Sequence, residues 1–487
     1  MKRSLVAAVL GAALAAAGPA SAGSVVGRQT ISPNPSPFAN CSNQGFAGNY
    51  ANAEVEPWVA VDPVSSATVA AWQQDRWGDP SEGGAHGLVA WSSVTNANSW
   101  APFTTCSGGT TANNGKFDRA SDVWVSYGPE GRLYQIALVF DEATAENGVT
   151  VSSSTDDGAT WSAPIFIDHM KQKSFAHGDD KESILADQLH PGYVYAVWDR
   201  YSNQNPAYSD GHGQNASKGP AFFSRSTDGG RTWSAPAVIY GRDNGTLGNQ
   251  IVELGNGTLI DFFTNFVAQN VKGGVNYTEE LVSVRSTDQG KTWSTDKPIV
   301  VSQMRPNGTY DPTTGQYVRA GDSLFDVAVG PTGALYAVWQ DSAFSGVDQV
   351  VFTKSTDGGL TWSMPVKISE APPSYNDPHG QAFTPSVDVS RNGTIAVTYY
   401  TFQNTTGESF LATDYWAITS GDGGTTWSPQ LRLTSSSFNG ELAPQAGGLM
   451  IGDYEGLAHN SNVFVAAYEV GNTQADPTDI QLASFTP

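Results

Sequence analysis

The sequence predicts an all-β protein, a seven-bladed β-propeller, and three observations carry that prediction. A box of the form S-x-D-x-G-x-T-W recurs at residues 154–161, 226–233, 286–293, 355–362 and 420–427. Between the boxes runs a second repeated element: an alternating apolar strand, a Gly- or Asn-containing turn, and another apolar strand. Composition agrees, because 52 glycines, 14 tryptophans and only 15% charged residues suit tight turns and short strands.

Taken in order, the repeated elements are EPWVAVDPVSSATVAAW, SDVWVSYGPEGRLYQIAL, ESILADQLHPGYVYAVW, NQIVELGNGTLIDFF, FDVAVGPTGALYAVW, TPSVDVSRNGTIAVTYY and GDYEGLAHNSNVFVAAY. Each reads as a β-hairpin, two period-2 runs around a turn. With the segment leading to each box, a unit supplies four strands. The tryptophans that close the boxes, and Trp100 at the end of a decayed copy (SVTNANSW), recur at a period of about 65 residues, an array of small β-units. A β-sandwich also explains many strands but not so long a fixed repeat, so the propeller is preferred. The last unit has no box and ends IQLASFTP. Strands from the two ends of the mature chain are therefore expected to share one sheet and remove the exposed edges.

The aspartate of the box reads as a turn-holder. It lies two residues after Ser and two before Gly, where a carboxylate accepts backbone N–H groups of its own turn. Five copies spread around a ring cannot converge on one catalytic centre.

The first 22 residues have a basic start, an apolar run and a small-residue end at Ala20-Ser21-Ala22, the layout of a secretory signal peptide. Residues 23–487 are then one secreted propeller domain. Two cysteines, Cys41 and Cys106, read as one disulfide in an exported chain; the alternative is two buried free thiols. Asn-X-Ser/Thr occurs at Asn40, Asn215, Asn244, Asn256, Asn276, Asn307, Asn392 and Asn404, which reads as glycosylation or as hairpin-turn chemistry. A formal charge of −22 argues against nucleic acid or an anionic membrane as partner. An acidic glycan held by a few local arginines remains open, and a monomer is expected.

The boxes resemble the Asp-box repeats of the sialidase-like β-propellers, over essentially the whole mature chain. The resemblance implies boxes on the outer face between third and fourth strands, and an active site across the ring where the inner strands start. It does not imply one activity, because such folds carry hydrolases, lyases and binding modules. The Arg-Ile-Pro string of sialidases, source of the first of three arginines on the substrate carboxylate, is absent, and Arg305-Pro306 comes far too late. The segment WQQDRWGDPSEGGAHGLVAW, with DRASDVWVSYGPEG and DKESI downstream, resembles the rhamnose–glucuronate lyase-type propellers acting on gum arabic-type glycans. In that group a first-blade histidine is implicated in catalysis, which implies His86.

Positions at or just before the hairpin starts are expected near the ring axis: Glu56, Arg119, Asp122, Asp180, Lys181, Glu182, Asn249, Arg319, Asp322, Thr384, Asp453, Tyr454 and Glu455. Loops leaving the hairpins add Asp75, Arg76, His86, Asp199, Arg200 and Tyr201. For β-elimination next to a uronate carboxylate, Arg76, Arg119, Arg200 and Arg319 are the candidate clamp, with Lys181 and Glu182 also facing substrate. His86 supplies the base, and Tyr201 or Tyr454 the proton partner. A sialidase-type hydrolase would use three of the same arginines, a tyrosine nucleophile (Tyr454) paired with Glu182 or Glu455, and Asp75 as acid. A non-catalytic glycan-binding propeller would use Trp58, Trp77 and Trp124 as platforms. No cofactor is required by any of these readings. Carboxylates converging on an acidic axis also invite a structural Ca²⁺ there.

Overall fold

The computed structural model describes residues 23–41, 48–78, 83–106, 117–171, 177–202, 219–241, 245–271, 274–373, 379–403 and 409–487. Residues 1–22 and the sequons at Asn215, Asn244 and Asn404 lie outside them. The described chain is all-β, and its one helical element is the short 3-10 turn Gly440–Leu442.

Strands fall into antiparallel groups of four, laid down in chain order. The first group is Glu54–Val61, Thr68–Arg76, Ala85–Ser92 and Ala97–Ser99; the second is Arg119–Tyr127, Leu133–Phe140, Asn147–Ser154 and Ile165–Met170. One residue pair, Ala85 with Ala120, joins these two into a single eight-stranded sheet. The third group starts at His177–Ala186, the fourth at Gly245–Glu253, the fifth at Phe325–Val329 and the sixth at Ala382–Val389. A final group contains Gly456–Asn460, Val463–Thr473 and Asp476–Thr486, and its fourth strand is Ser24–Thr30 from the other end of the chain. The expected sharing of terminal strands is thus observed. The first strand of each group touches the first strand of the next, and Gly456–Asn460 touches Glu54–Val61.

Apolar residues alternate along these strands, so each group buries both faces against its neighbours. Ile136 and Val151 of the second group, for example, pack with Val194 and Trp198 of the third. Every box lies between the third and fourth strands of its group. In the third group, Asp228 accepts from Thr232 N (2.9 Å), Thr232 Oγ1 (2.6 Å) and Ser226 Oγ (2.8 Å). The boxes at Asp156, Asp288, Asp357 and Asp422 repeat the Ser and Thr bonds. Bonds from Thr232 hold the Asp228 carboxyl down at about 2, and Thr292 does the same for Asp288. These aspartates hold turns, as expected. The box tryptophans Trp161, Trp233, Trp293, Trp362 and Trp427 each pack against an apolar cluster shared with the preceding group.

Cys41 and Cys106 are bonded, with Cα atoms 5.5 Å apart. At Asn256 and Asn392 the side-chain oxygen accepts from the Thr N–H two residues on (3.0 Å in both), which is the turn chemistry weighed against glycosylation. No helix among the described residues is long and apolar enough to cross a membrane.

Candidate active site

One device recurs in the first strands and positions the site. Register shifts fall between Val55 and Trp58, Ser121 and Trp124, Asp180 and Ser183, Leu247 and Gln250, and Phe383 and Ser386. At these bulges Glu56, Asp122, Lys181 and Thr384 take positive φ (55°, 52°, 47° and 46°), and the fourth group puts Gly248 there (71°). A bulge lets two residues oppose one and re-aims a side chain that strict alternation would send elsewhere. Non-glycine residues at positive φ cost about 1–3 kcal/mol each, so their repetition at one end of successive groups makes that end the candidate site.

Three groups contribute to the knot these bulges build. Lys181 Nζ lies 2.8 Å from Asp453 Oδ2, 2.9 Å from Asp122 Oδ1 and 3.6 Å from Glu56 Oε1. Arg319 grips Asp453 with both Nε (2.9 Å) and Nη2 (2.5 Å). It arrives on a small three-stranded sheet, Thr309–Tyr310, Tyr317–Arg319 and Leu449–Met450, which sequence reading missed. The turn signal DPTTGQ was visible, but the partner strand is more than a hundred residues away. Arg76 donates to Gln73 Oε1 (3.3 Å) and packs on Met450 Sδ (3.3 Å). No carboxylate makes an ion pair with Arg76 among the described residues.

Electrostatics differ sharply across the knot. Burial raises Glu56 to about 7 despite Lys181. Burial and then Asp122 raise Asp180 to about 6. Burial also opposes ionisation of Asp122 and Asp453, but Lys181 keeps Asp122 below its ordinary value, and Arg319 with Lys181 keeps Asp453 well below. Burial, then Arg319, lowers Arg76. Asp122 and Asp453, two of the carboxylates expected near the axis, are held by Lys181 and Arg319. Beneath the knot lies a cavity of about 20 Å³, lined in part by Trp58, Trp124, Thr384, Ser386, Tyr454 and Glu455. That is room for about one water and not for a sugar.

The other candidates have separate surroundings. His86 is 4% exposed, its Nδ1 3.3 Å from Asp75 Oδ2 and its ring edge-on to Trp77, whose centroid is 4.1 Å away. Arg119, fully buried, stacks on the same indole at 3.4 Å. Arg200 pairs with Asp179 (2.9 Å) and Asp168 and lies over the Phe222 ring. The four candidate arginines of the clamp have separate partners, and Arg76 and Arg319 are the two at the knot. Glu182 is fully buried, with neither carboxylate oxygen hydrogen-bonded among the described residues, and burial holds its pKa well above the usual range. Tyr201 packs against Gly178, with Asp180 among its acidic neighbours. The Tyr454 hydroxyl reaches Val123 O (3.5 Å), while Glu455 Oε1 accepts from Tyr400 (2.8 Å). Of the three candidate platform tryptophans, Trp77 is fully buried, while the part-buried Trp58 and Trp124 stack on each other at 3.5 Å.

Residues 284–295 match the family model of the BNR/Asp-box repeat. No curated protein matches the chain in sequence. Solved structures with a similar trace include the Hadza microbial sialidase Hz136, at 18% identity and a TM-score of 0.45 over 75% of this chain and 65% of that one. Another is a mutant NanB sialidase from Streptococcus pneumoniae, at 12% identity and 0.47, covering 80% of this chain and 70% of that one. A third is a Penicillium chrysogenum alpha-L-arabinanase complexed with arabinobiose, at 11% identity and 0.44, covering 95% and 98%.

Proposed function

We propose that the strand groups are the blades of a closed seven-bladed propeller, and that the chain is a secreted enzyme cleaving a terminal sugar from an acidic sugar. The reaction we assign is β-elimination of the L-rhamnose-α-1,4-D-glucuronate lyase type on plant or gum arabic-type glycans. One observation carries this reading. Arg76 from the first group, Lys181 from the third and Arg319 from the small three-stranded sheet gather at one end of the sheets, and no carboxylate among the described residues makes an ion pair with Arg76.

In this reaction the base removes the proton beside the uronate carboxylate, and its electron pair forms the new C=C bond. The bond from the ring to the linking oxygen breaks, and that oxygen leaves on the terminal sugar with a proton. Positive charge from Arg76, with Lys181 and Arg319 beside it, stabilises the carbanionic transition state through the carboxylate. Asp180, part-exposed and raised to about 6, has a proton affinity matched to a base near neutral pH, with Tyr201 beside it as proton partner. In this scheme His86, buried against Trp77 and bonded to Asp75, orients Asp75 and is not the base.

The alternative, an exo-sialidase-type hydrolase, needs a tyrosine activated by a glutamate. Tyr454 is bonded to neither Glu182 nor Glu455, which favours elimination. Incubation with gum arabic, arabinogalactan and sialyllactose, with products read by mass and ultraviolet absorbance, tests the proposal. An unsaturated uronate and free rhamnose are expected, with at least about a 100-fold loss of turnover in Lys181→Met and Arg319→Lys. Release of sialic acid, or a saturated product, overturns the lyase reading. Binding of a glycan without turnover would make the chain a lectin-like propeller instead.

A further inference from the structure

We propose that Glu54, Asp476 and Asp479 form a Ca²⁺ site, away from the axial knot, that fastens the two chain ends to the first strand group. One carboxylate oxygen from each of the three lies within 4.8 Å of the others. Glu54 is 1% exposed and its Oε2 has no hydrogen-bond partner among the described residues; Asp476 is 8% exposed and its Oδ1 has none among them either. No lysine or arginine among the described residues forms an ion pair with any of the three.

The remaining oxygens are held from behind by neutral donors. Gln74 Nε2 donates to Glu54 Oε1. Asn34 Nδ2 (2.5 Å) and Asn472 Nδ2 (2.8 Å) donate to Asp476 Oδ2. Ser32 Oγ (2.9 Å) and Asn472 Nδ2 (2.8 Å) donate to the two oxygens of Asp479. This outer shell orients the carboxylates and leaves free, buried oxygens on Glu54 and Asp476, as outer-shell partners do around a metal. Leaving three carboxylates together without a cation is unfavourable, and a divalent ion removes the conflict.

Chemistry selects the ion. All the donors are oxygen, with no histidine or cysteine, which excludes a preference for zinc. The oxygens are spread as bonds of about 2.3–2.6 Å to one ion allow, and the acidic set suits Ca²⁺ better than the smaller Mg²⁺. Position gives the site its use. Asp476 and Asp479 lie on the C-terminal strand, Ser32 and Asn34 follow the N-terminal strand, and Glu54 opens the first group. Thr478 Oγ1 already bonds Glu54 O (2.8 Å) and N (3.0 Å) at this joint.

The test is thermal melting of chelator-treated full-length protein with added Ca²⁺ or Mg²⁺, together with equilibrium dialysis against radioactive Ca²⁺. A saturable rise of several degrees with Ca²⁺ and one bound ion per chain are expected. Asp476→Asn and the half-buried Asp479→Asn should each lose most of the rise and most of the bound ion. Should Glu54→Gln fail to fold, these two variants still decide the matter. Absence of bound Ca²⁺ in the wild type overturns the site. So does an undiminished response in both variants, which would put the ion elsewhere. Stabilisation by acid alone, with no Ca²⁺ response, would mean that a proton on Glu54 replaces the ion and overturns the site.

Discussion

At the scale of single residues, the same side chain does opposite work at the two ends of a strand group. Asp228, in its box, is part-exposed and saturated by its own turn, so it stays ionised far into acid. Asp180, at the other end, is pressed by burial and by Asp122, which raise it to about 6. Position, not residue type, assigns chemistry. Asp228→Ala should therefore lower stability by only about 1 kcal/mol, the net worth of the turn bonds it loses, and leave turnover unchanged. Denaturant midpoints and activity on one preparation check both halves. A large loss of activity would mean that the boxes do more than hold turns.

Among strand groups, the boxes also act as latches. The basic residue just before the box serine reaches across to the next group's box. Arg225 donates to Gln289 O (2.6 Å), Arg285 to Gly358 O, and Lys354 to Gly423 O (2.6 Å). The string R/K-S-T-D was legible in sequence, but its purpose was not, because a carbonyl one repeat away has no sequence signature. Replacing Arg225 with Ala leaves that carbonyl on water and should cost about 1 kcal/mol. Arg225→Lys should recover part of it, read by urea unfolding. The bulges tell a similar story. Glu56, Asp122, Lys181 and Thr384 stood out as polar residues at hairpin starts, yet their positive φ and common direction became visible only with the pairing register.

For the whole molecule, the carboxylates set a pH optimum for stability. Those raised by burial include Glu56, Asp179 and Asp199, each to about 7, and Asp326 and Asp348, each to about 6. Each is protonated in the folded chain over a range where the unfolded chain has already lost the proton. Their contribution is full below about pH 4 and is lost as pH rises through 6 to 7. The box aspartates have lowered values and contribute in the other direction, losing their share as pH falls toward about 2. Thermal melting should consequently show higher stability near pH 5 than near pH 7.5. A monotonic rise to pH 7.5 would mean that the buried carboxylates are ionised in the folded chain.

The repeat, its period, the four strands per unit, the meeting of the chain ends and the Cys41–Cys106 bridge were all readable from the sequence alone. They rest on alternation and turn chemistry, which are local, or on a cysteine count that permits a single pairing. Most of the polar residues at the knot were readable too, since charge is scarce and recurs at one point of the repeat. Tertiary structure decided which of them meet. Lys181 selects Asp122, Asp453 and Glu56, Arg319 comes in on a sheet built from distant segments, and Arg119 and His86 turn away onto Trp77. Contact between groups hundreds of residues apart depends on how sheets stack and where bulges re-aim side chains, and neither is encoded within one repeat.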